Sequence, residues 1–151
     1  MTRFRAVWAG LALAAPGLVC AAAPAAAAPR LMAVQNAMTG RCLSSDGAAI
    51  YTTASCGDPA SLWYTVLHDP GQAYAVRSHA FGFCLRTNPA GNDVVGGCGT
   101  GTDGWYSMFN GRYDVIRNYG TGLALESDFA GDVHARSANG GLFQQWHWIV
   151  Q

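Results

Sequence analysis

Apolar residues in this chain occur in short stretches, and the three-to-four-residue spacing of an amphipathic helix is absent almost everywhere. Glycine and the turn-forming residues Asn, Asp and Pro recur every few positions between these stretches. The pattern predicts an all-β protein. Strands are predicted at 74–78, 83–86, 94–96 and 105–109, and again at 113–117, 123–126, 133–137 and 145–150, while the segment before residue 70 shows the same order less clearly.

The predicted strands belong to an internal repeat with copies at about 31–70, 71–110 and 111–151. The first copy contains Gly40-Arg41-Cys42-Leu43, Cys56 and Trp63, and the second contains Gly82-Phe83-Cys84-Leu85, Cys98 and Trp105, each landmark 42 positions later. The third copy contains Gly122-Leu123-Ala124-Leu125, Ala138 and Trp146. Both of its cysteine positions therefore hold alanine.

The joint loss of two cysteines is the behaviour expected of a bonded pair, because one cysteine has no structural use without its partner. We therefore predict the disulfides Cys42–Cys56 and Cys84–Cys98. The alternative is a zinc site made of the same four thiols, but the short Cys-x-x-Cys pairs of such sites are lacking. Disulfides persist in oxidising compartments, so cysteine usage predicts a protein outside the cytosol.

The N-terminal region agrees with export. Arg3 and Arg5 precede an uncharged run rich in Ala, Leu and Val, and we predict a secretory signal peptide at 1–28, cleaved near 26–28, followed by one domain at 29–151. A membrane anchor is the competing interpretation, but three prolines and many alanines make a weak membrane-spanning helix. Cys20, which has no partner in the repeat, is expected to be removed with the signal; lipid attachment is its alternative fate.

Charge narrows the choice of partners. From Leu31 onward the chain has six arginines, nine acidic residues and no lysine, which is a net charge of −3. A mildly acidic domain without lysine is a poor binder of polyanions, so nucleic acid and stable membrane association are not expected.

Three four-stranded repeats can close a barrel with a hairpin cap, which is the β-trefoil arrangement. The chain resembles a ricin-type B lectin domain, whose repeats carry Gly-x-Cys-Leu, a second cysteine about 14 residues on, and Gln-x-Trp. The third copy keeps Gln144-Gln145-Trp146, whereas the first two keep only the tryptophan. The repeat predicts that Trp63, Trp105 and Trp146 fill the core of the barrel.

The resemblance implies that each repeat can hold a sugar with an acidic residue, an aromatic ring and an Asn-Gln pair at set positions. The third repeat matches best, with predicted carbohydrate-binding residues Glu126, Arg136, Asn139 and Gln144, and with Asp128 and His134 as nearby polar candidates. The alternative is that Glu126 and Arg136 form a solvated surface pair and that Gln144 is structural. Phe143 is either a replacement for the stacking ring or part of the core.

The first two repeats depart from this pattern, and we expect them not to bind sugar. The acidic position holds Ser44 and Arg86, and the aromatic position holds Ala54 and Gly96. The Asn-Gln pair is replaced by Ala60-Ser61 in the first repeat and by Thr102-Asp103 in the second.

The sequence lacks the signatures of common enzymes. Its four histidines lack metal-ligand spacing, and neither a Gly-x-Ser-x-Gly turn nor a phosphate loop with its lysine is present. Carboxylate pairs such as Asp128 with Asp132 are interpreted as solvent-facing. We therefore expect a secreted, non-catalytic lectin-like protein that binds glycans or glycoconjugates without cofactor or metal. The alternative is a β-trefoil interaction module, a toxin delivery subunit or protease inhibitor, whose partner is a second protein chain.

Overall fold

The computed structural model describes residues 29–68 and 72–151, and within these ranges twelve β-strands and two short 3₁₀ helices form the fold. The strands are β1 (Met32–Asn36), β2 (Cys42–Ser45), β3 (Ile50–Thr53), β4 (Trp63–His68), β5 (Ala73–Ser78), β6 (Cys84–Thr87), β7 (Asp93–Gly96), β8 (Gly104–Phe109), β9 (Asp114–Asn118), β10 (Ala124–Ser127), β11 (Val133–Arg136) and β12 (Gln145–Val150). The 3₁₀ helices are Pro59–Ser61 and Leu142–Gln144.

Six strands close a barrel. Strand β1 pairs with β12 and β4, β5 pairs with β4 and β8, and β9 pairs with β8 and β12, all antiparallel. The remaining strands form the hairpins β2–β3, β6–β7 and β10–β11, each joined to the barrel through the first strand of its repeat. The molecule is a β-trefoil, and the predicted all-β fold class is confirmed.

The barrel interior is built around one tryptophan from each repeat. Trp63, Trp105 and Trp146 are at most 1% exposed. Each indole N–H donates to the backbone oxygen of a leucine in the same repeat, at 3.0 Å to Leu43, 2.9 Å to Leu85 and 2.9 Å to Leu125. A buried indole therefore keeps its hydrogen bond while its ring contributes apolar area to the core.

Two glycine turns join neighbouring cap hairpins. The backbone oxygen of Gly91 accepts the N–H of Ala135 at 2.9 Å, and that of Gly131 accepts the N–H of Thr52 at 2.8 Å. Both glycines have positive φ, a conformation that residues with a Cβ adopt only with strain. The second hairpin is thereby bonded to the third, and the third to the first.

Disulfides join Cys42 to Cys56 and Cys84 to Cys98, the pairing that the sequence predicts. In each bridge the two Cα atoms are 5.2 Å apart. Ala124 takes the position of the first cysteine in the third repeat and is fully buried there, like Cys42 and Cys84. The third repeat therefore keeps the backbone path of the other two without the covalent bond.

Replacing Cys84 and Cys98 together by alanine is expected to leave the fold intact and to lower the free energy of unfolding by about 3 kcal/mol. The reason is that the bond closes a loop of about 15 residues in the unfolded chain, while the third repeat already folds with alanine at both positions. Chemical denaturation of the two proteins measures the difference. Adding a reductant to the unsubstituted protein should lower stability further, because it also opens Cys42–Cys56; equal stability of the variant and the oxidised protein would contradict the expectation.

The predicted signal peptide at 1–28 and Cys20 lie outside the described residues. In residues 29–68 and 72–151 no helix is long and apolar enough to cross a membrane.

Candidate functional site

The candidate residues of the third repeat lie on the β10–β11 hairpin and on the 3₁₀ helix that precedes β12. Glu126 is paired in register with His134, and Ala124 with Arg136. Residues directly opposite one another in an antiparallel pair, and residues two apart along a strand, share a face of the hairpin. Glu126, His134 and Arg136 therefore lie on the same face, and with Gln144 they make up what we call the third-repeat site.

The Glu126 carboxylate is held from two directions. Its Oε2 accepts a hydrogen bond from Gln144 Nε2 at 2.9 Å, and its Oε1 lies 3.4 Å from Arg136 Nε. The Glu126 side chain is 20% exposed and that of Arg136 is 61% exposed. A carboxylate can accept about four hydrogen bonds, so Glu126 keeps acceptor capacity toward solvent although both oxygens are positioned.

Gln144 is fully buried and holds the Glu126 carboxylate through its side-chain amide. Besides its bond to Glu126, its Nε2 donates to the Ser137 backbone oxygen at 3.0 Å, and its Oε1 accepts the Asn139 N–H at 2.8 Å. Both amide protons are thus used within the protein. Of the two roles considered for Gln144, burial favours the structural one, in which the amide orients Glu126 and ties down the loop after β11.

The other predicted residues lie at the rim. Arg136 and Asn139 are exposed, and Asn139 Oδ1 accepts the Gly141 N–H at 2.8 Å. From the sequence His134 is only a nearby polar candidate, but its register with Glu126 brings it to the same face. The sequence signal that could have predicted this position is the glycine turn at Gly131. The turn fixes the register of the hairpin and therefore decides that His134 lies opposite Glu126.

A second residue that the sequence did not assign to the site is an aromatic one. Phe129, in the turn between β10 and β11, is 65% exposed and lies edge-to-face against Phe143, with ring centroids 5.2 Å apart. Phe143 is half-buried and directly precedes Gln144. An exposed ring, packed on Phe143, therefore lies in the turn that follows the strand of Glu126, whereas the resemblance to ricin-type B lectin domains implies an aromatic residue at the position of Arg136.

One group of side chains near this hairpin has atoms close enough to share a cation: Asp128, Asp132 and His134 each offer one atom, all within 4.8 Å of one another. Asp128 Oδ1 already accepts the N–H groups of Gly131 and Asp132 at 2.9 and 3.0 Å. These bonds shape the turn between the two strands, so the local role of Asp128 is structural.

In the second repeat an arginine occupies the equivalent site. Arg86 stands at the position of Glu126, and its Nε donates to Thr102 Oγ1 at 3.1 Å. Its guanidinium also lies across Gly96, because a Cβ added to that glycine would fall 2.5 Å from Arg86 Nη1. The space that an aromatic residue would occupy is thus filled by the arginine itself.

Asp103 replaces the glutamine of the second repeat and is fully buried. Its carboxylate accepts the N–H groups of Gly99 at 2.6 Å and Thr100 at 3.0 Å. Burial raises the pKa of Asp103, but these backbone hydrogen bonds and the charge of His68 outweigh it, and the pKa is lower than its usual value. Asp103 therefore ties down its own loop as an anion.

The first repeat presents little polar chemistry at the corresponding place. Ser44 is 2% exposed and donates to the Ala60 backbone oxygen at 3.2 Å. Ser61, at the glutamine position, is fully buried, and its Oγ has no hydrogen-bond partner within the described part of the chain. Of the three equivalent places, the third alone combines a partly exposed carboxylate with a buried amide that orients it.

The fold and this arrangement define a β-trefoil whose third repeat carries a positioned, partly exposed carboxylate. No protein-family model and no curated protein matches the chain. The chain is similar over most of its length to two solved structures that it covers almost completely. The designed three-fold symmetric protein ThreeFoil superimposes with a TM-score of 0.70 and 23% identity, covering 79% of this chain and 97% of that one. SeviL bound to the asialo-GM1 saccharide superimposes with a TM-score of 0.70 and 12% identity, covering 81% and 98%.

A longer protein contains a similar region. The exo-β-1,3-galactanase 1,3Gal43A from Clostridium thermocellum superimposes with a TM-score of 0.73 and 18% identity, over 81% of this chain but 30% of the enzyme. At these identities the likeness establishes the β-trefoil fold, and the chemistry of the site has to be argued from its residues.

Proposed function

We propose that this chain is a secreted, non-catalytic carbohydrate-binding protein whose sugar site is the third-repeat site. The observation that carries the proposal is the Glu126 carboxylate, which Gln144 and Arg136 hold in place while part of it faces solvent. Sugar recognition requires a positioned acceptor for paired hydroxyl groups and an apolar surface for the C–H groups of the ring. Glu126 supplies the first and Phe129 the second.

The roles of the remaining residues follow from their exposure. Arg136 and Asn139 are exposed polar groups at the rim and would donate hydrogen bonds to hydroxyl oxygens. Gln144 would act through Glu126, since the amide is fully buried. Among the similar structures, SeviL is bound to a saccharide, and two of the larger proteins are named as a galactanase and an endo-β-galactosidase, which supports glycans as the partner class.

Substitution Glu126→Gln is expected to weaken saccharide binding by at least about tenfold, because it replaces charge-assisted hydrogen bonds by neutral ones. A glycan array with the oxidised protein identifies the saccharide, and titration calorimetry with that saccharide measures the loss. Substitution Gln144→Ala should weaken binding too and should also lower stability, because it leaves the Asn139 N–H and the Ser137 oxygen without their partner.

Asp58→Asn is the control, since Asp58 is an exposed carboxylate in the first repeat, outside the third-repeat site and without a side-chain hydrogen bond to the 3₁₀ helix that follows it. Its binding should equal that of the unsubstituted protein. Saccharide binding that survives Glu126→Gln in a folded protein would refute the assignment of the site, and the absence of binding to any glycan would refute the lectin proposal.

Exposed apolar residues near the ends of three barrel strands favour a second function, that of a protein-interaction module. The residues four positions after each core tryptophan are Leu67, Phe109 and Val150, and they are 65%, 68% and 54% exposed. Equivalent apolar side chains at one end of a barrel suit a protein partner. Co-purification of a second secreted chain that is lost on Phe109→Asp would support this function, whereas retention on a saccharide matrix that is lost on Glu126→Gln would support the lectin.

A further inference from the structure

A cleft of about 560 Å³ lies between the end of β4, in the first repeat, and the loop that follows β7, in the second. Its walls include His68, Ala75, Arg77, Gly99 and the disulfide Cys84–Cys98. We call it the second-repeat cleft. It is separate from the third-repeat site and from the place where Arg86 covers Gly96. A volume of this size is within the range of small-molecule sites in proteins.

Two small residues are paired beside the cleft. Ala75 of β5 is paired in register with Gly104 of β8. The equivalent pair in the third repeat is Val115 with Gln145, and the Gln145 side chain donates to the Gly140 oxygen at 2.9 Å. In the first repeat the residue before the core tryptophan is Leu62. The second repeat thus has no side chain at the position of Gln145 and Leu62, and the His68 ring lies there, 3.1 Å from where a Cβ of Gly104 would be.

The polar groups at the cleft are basic. Arg77 Nε donates to the Gly82 backbone oxygen at 2.8 Å, which anchors the guanidinium. The equivalent Arg117 uses both Nε and Nη2 for the Gly122 oxygen. Arg77 therefore has more of its five N–H donors available. His68 lies on the other wall, next to Gly104.

In the described part of the chain, the walls of the cleft place no acidic side chain beside the Arg77 cation. Asp103, close to His68, is fully buried and directs its oxygens to the N–H groups of Gly99 and Thr100. The remaining walls are apolar and include Val66, Ala75 and the disulfide. The cleft thus combines an anchored guanidinium with a surface suited to C–H groups.

We propose that the second-repeat cleft binds a small organic carboxylate of monosaccharide size, with the Arg77 guanidinium as its partner. A guanidinium and a carboxylate form short, charge-assisted hydrogen bonds with defined geometry. The site is independent of the third-repeat site and has the opposite preference, because it offers a cation where Glu126 offers an anion. The protein would accordingly carry one site for neutral hydroxyl groups and a second for an acid.

The test uses D-glucuronate as the probe, with D-glucose as its neutral counterpart and acetate as the carboxylate alone. Amide NMR spectra of the oxidised protein, recorded during titration at millimolar concentrations, should show glucuronate shifting resonances of residues around the cleft while glucose leaves them in place. Weaker shifts of the same resonances by acetate would assign recognition to the carboxylate. Equal shifts by glucose and glucuronate, or no shift by glucuronate, would overturn the proposal.

Two substitutions already present in the other repeats separate binding from folding. Arg77→Gln copies the first repeat, in which Gln35 Nε2 donates to the Gly40 oxygen at 2.8 Å, so the backbone anchor is kept while the charge is lost. Gly104→Gln copies Gln145 and fills the cleft; its Cβ would lie 3.1 Å from His68 Cδ2, the end of a side chain that can move.

Arg77→Gln is expected to weaken glucuronate binding at least about tenfold, the loss expected when a charge-assisted hydrogen bond is removed. Gly104→Gln should weaken binding as well, because the added side chain would displace His68 and narrow the cleft. The control Arg117→Gln makes the same change in the third repeat and should bind glucuronate normally. Glu126→Gln should do so as well, which distinguishes failure of this proposal from failure of the third-repeat site. Undiminished binding by folded Arg77→Gln and Gly104→Gln variants would overturn it.

Discussion

Replacing Trp105 by alanine is expected to lower the free energy of unfolding by about 3–5 kcal/mol, the range for truncating a large buried aromatic residue. Trp105 is 1% exposed, and its indole N–H donates to the Leu85 oxygen at 2.9 Å. The substitution removes the ring from the barrel interior and also leaves that oxygen without its donor. Chemical denaturation followed by circular dichroism measures the loss.

Phe109→Ala provides the matched control, because it shortens an aromatic side chain on the same strand that is 68% exposed. Its effect should lie within about 0.5 kcal/mol, as is usual for surface positions. Trp105→Phe should lie between the two, since it keeps most of the apolar volume and removes the donor. Comparable losses for Trp105→Ala and Phe109→Ala would show that the core is not organised around the tryptophans.

The second large effect is expected at Gly91, where alanine should destabilise the protein by about 2–5 kcal/mol. Gly91 has a φ of +80°, and a Cβ there would lie 2.0 Å from the backbone oxygen of Ala135. The positive φ costs a residue with a Cβ about 1–2 kcal/mol, and overpacking a close contact adds about 1–3 kcal/mol. The second and third cap hairpins would have to separate, which would also break the bond from the Ala135 N–H to Gly91. Thermal and chemical unfolding measure the effect.

Gly111→Ala isolates the conformational part of this effect. Gly111 has a φ of +95°, but nothing lies within 4 Å of its added Cβ. The control should therefore lose only about 1–2 kcal/mol, the cost of the positive φ. If the two alanine variants are equally stable, the close approach of the cap hairpins at Gly91 contributes nothing, and the contact between repeats is looser than the geometry indicates.

Most of the strands could be predicted because the local pattern of apolar and turn-forming residues agrees with the spacing of the internal repeat. The strand predicted at 113–117 is Asp114–Asn118, and the one at 145–150 is Gln145–Val150. The ends shift by a residue because pairing partners, rather than propensity, decide where a strand ends: Gly104 begins β8 through its pairing with Ala75. In the first repeat the Ser- and Thr-rich β2 and β3 give weak local signals, and it is pairing with each other that makes them strands.

The candidate site could be predicted in part. The resemblance to ricin-type B lectin domains implied Glu126 and Gln144 as site residues, and the structure places their side chains 2.9 Å apart. The sequence did not indicate that Gln144 would be buried, because burial depends on how the 3₁₀ helix packs on β10. His134 and Phe129 join the site through strand register and ring packing, which bring together residues that no fixed spacing relates.

The sequence by itself determined the threefold repeat, the disulfide pairing and the core tryptophans, because each rests on residues at equal intervals whose positions reinforce one another across three copies. Only the tertiary structure decided the differences between the copies. Ala75 and Gly104 are separated by many residues, and they are paired beside the cleft only because β5 and β8 are neighbours in the barrel. The physical reason is that a repeat specifies what its copies share, whereas a binding site depends on which side chains are absent from a space that several strands enclose.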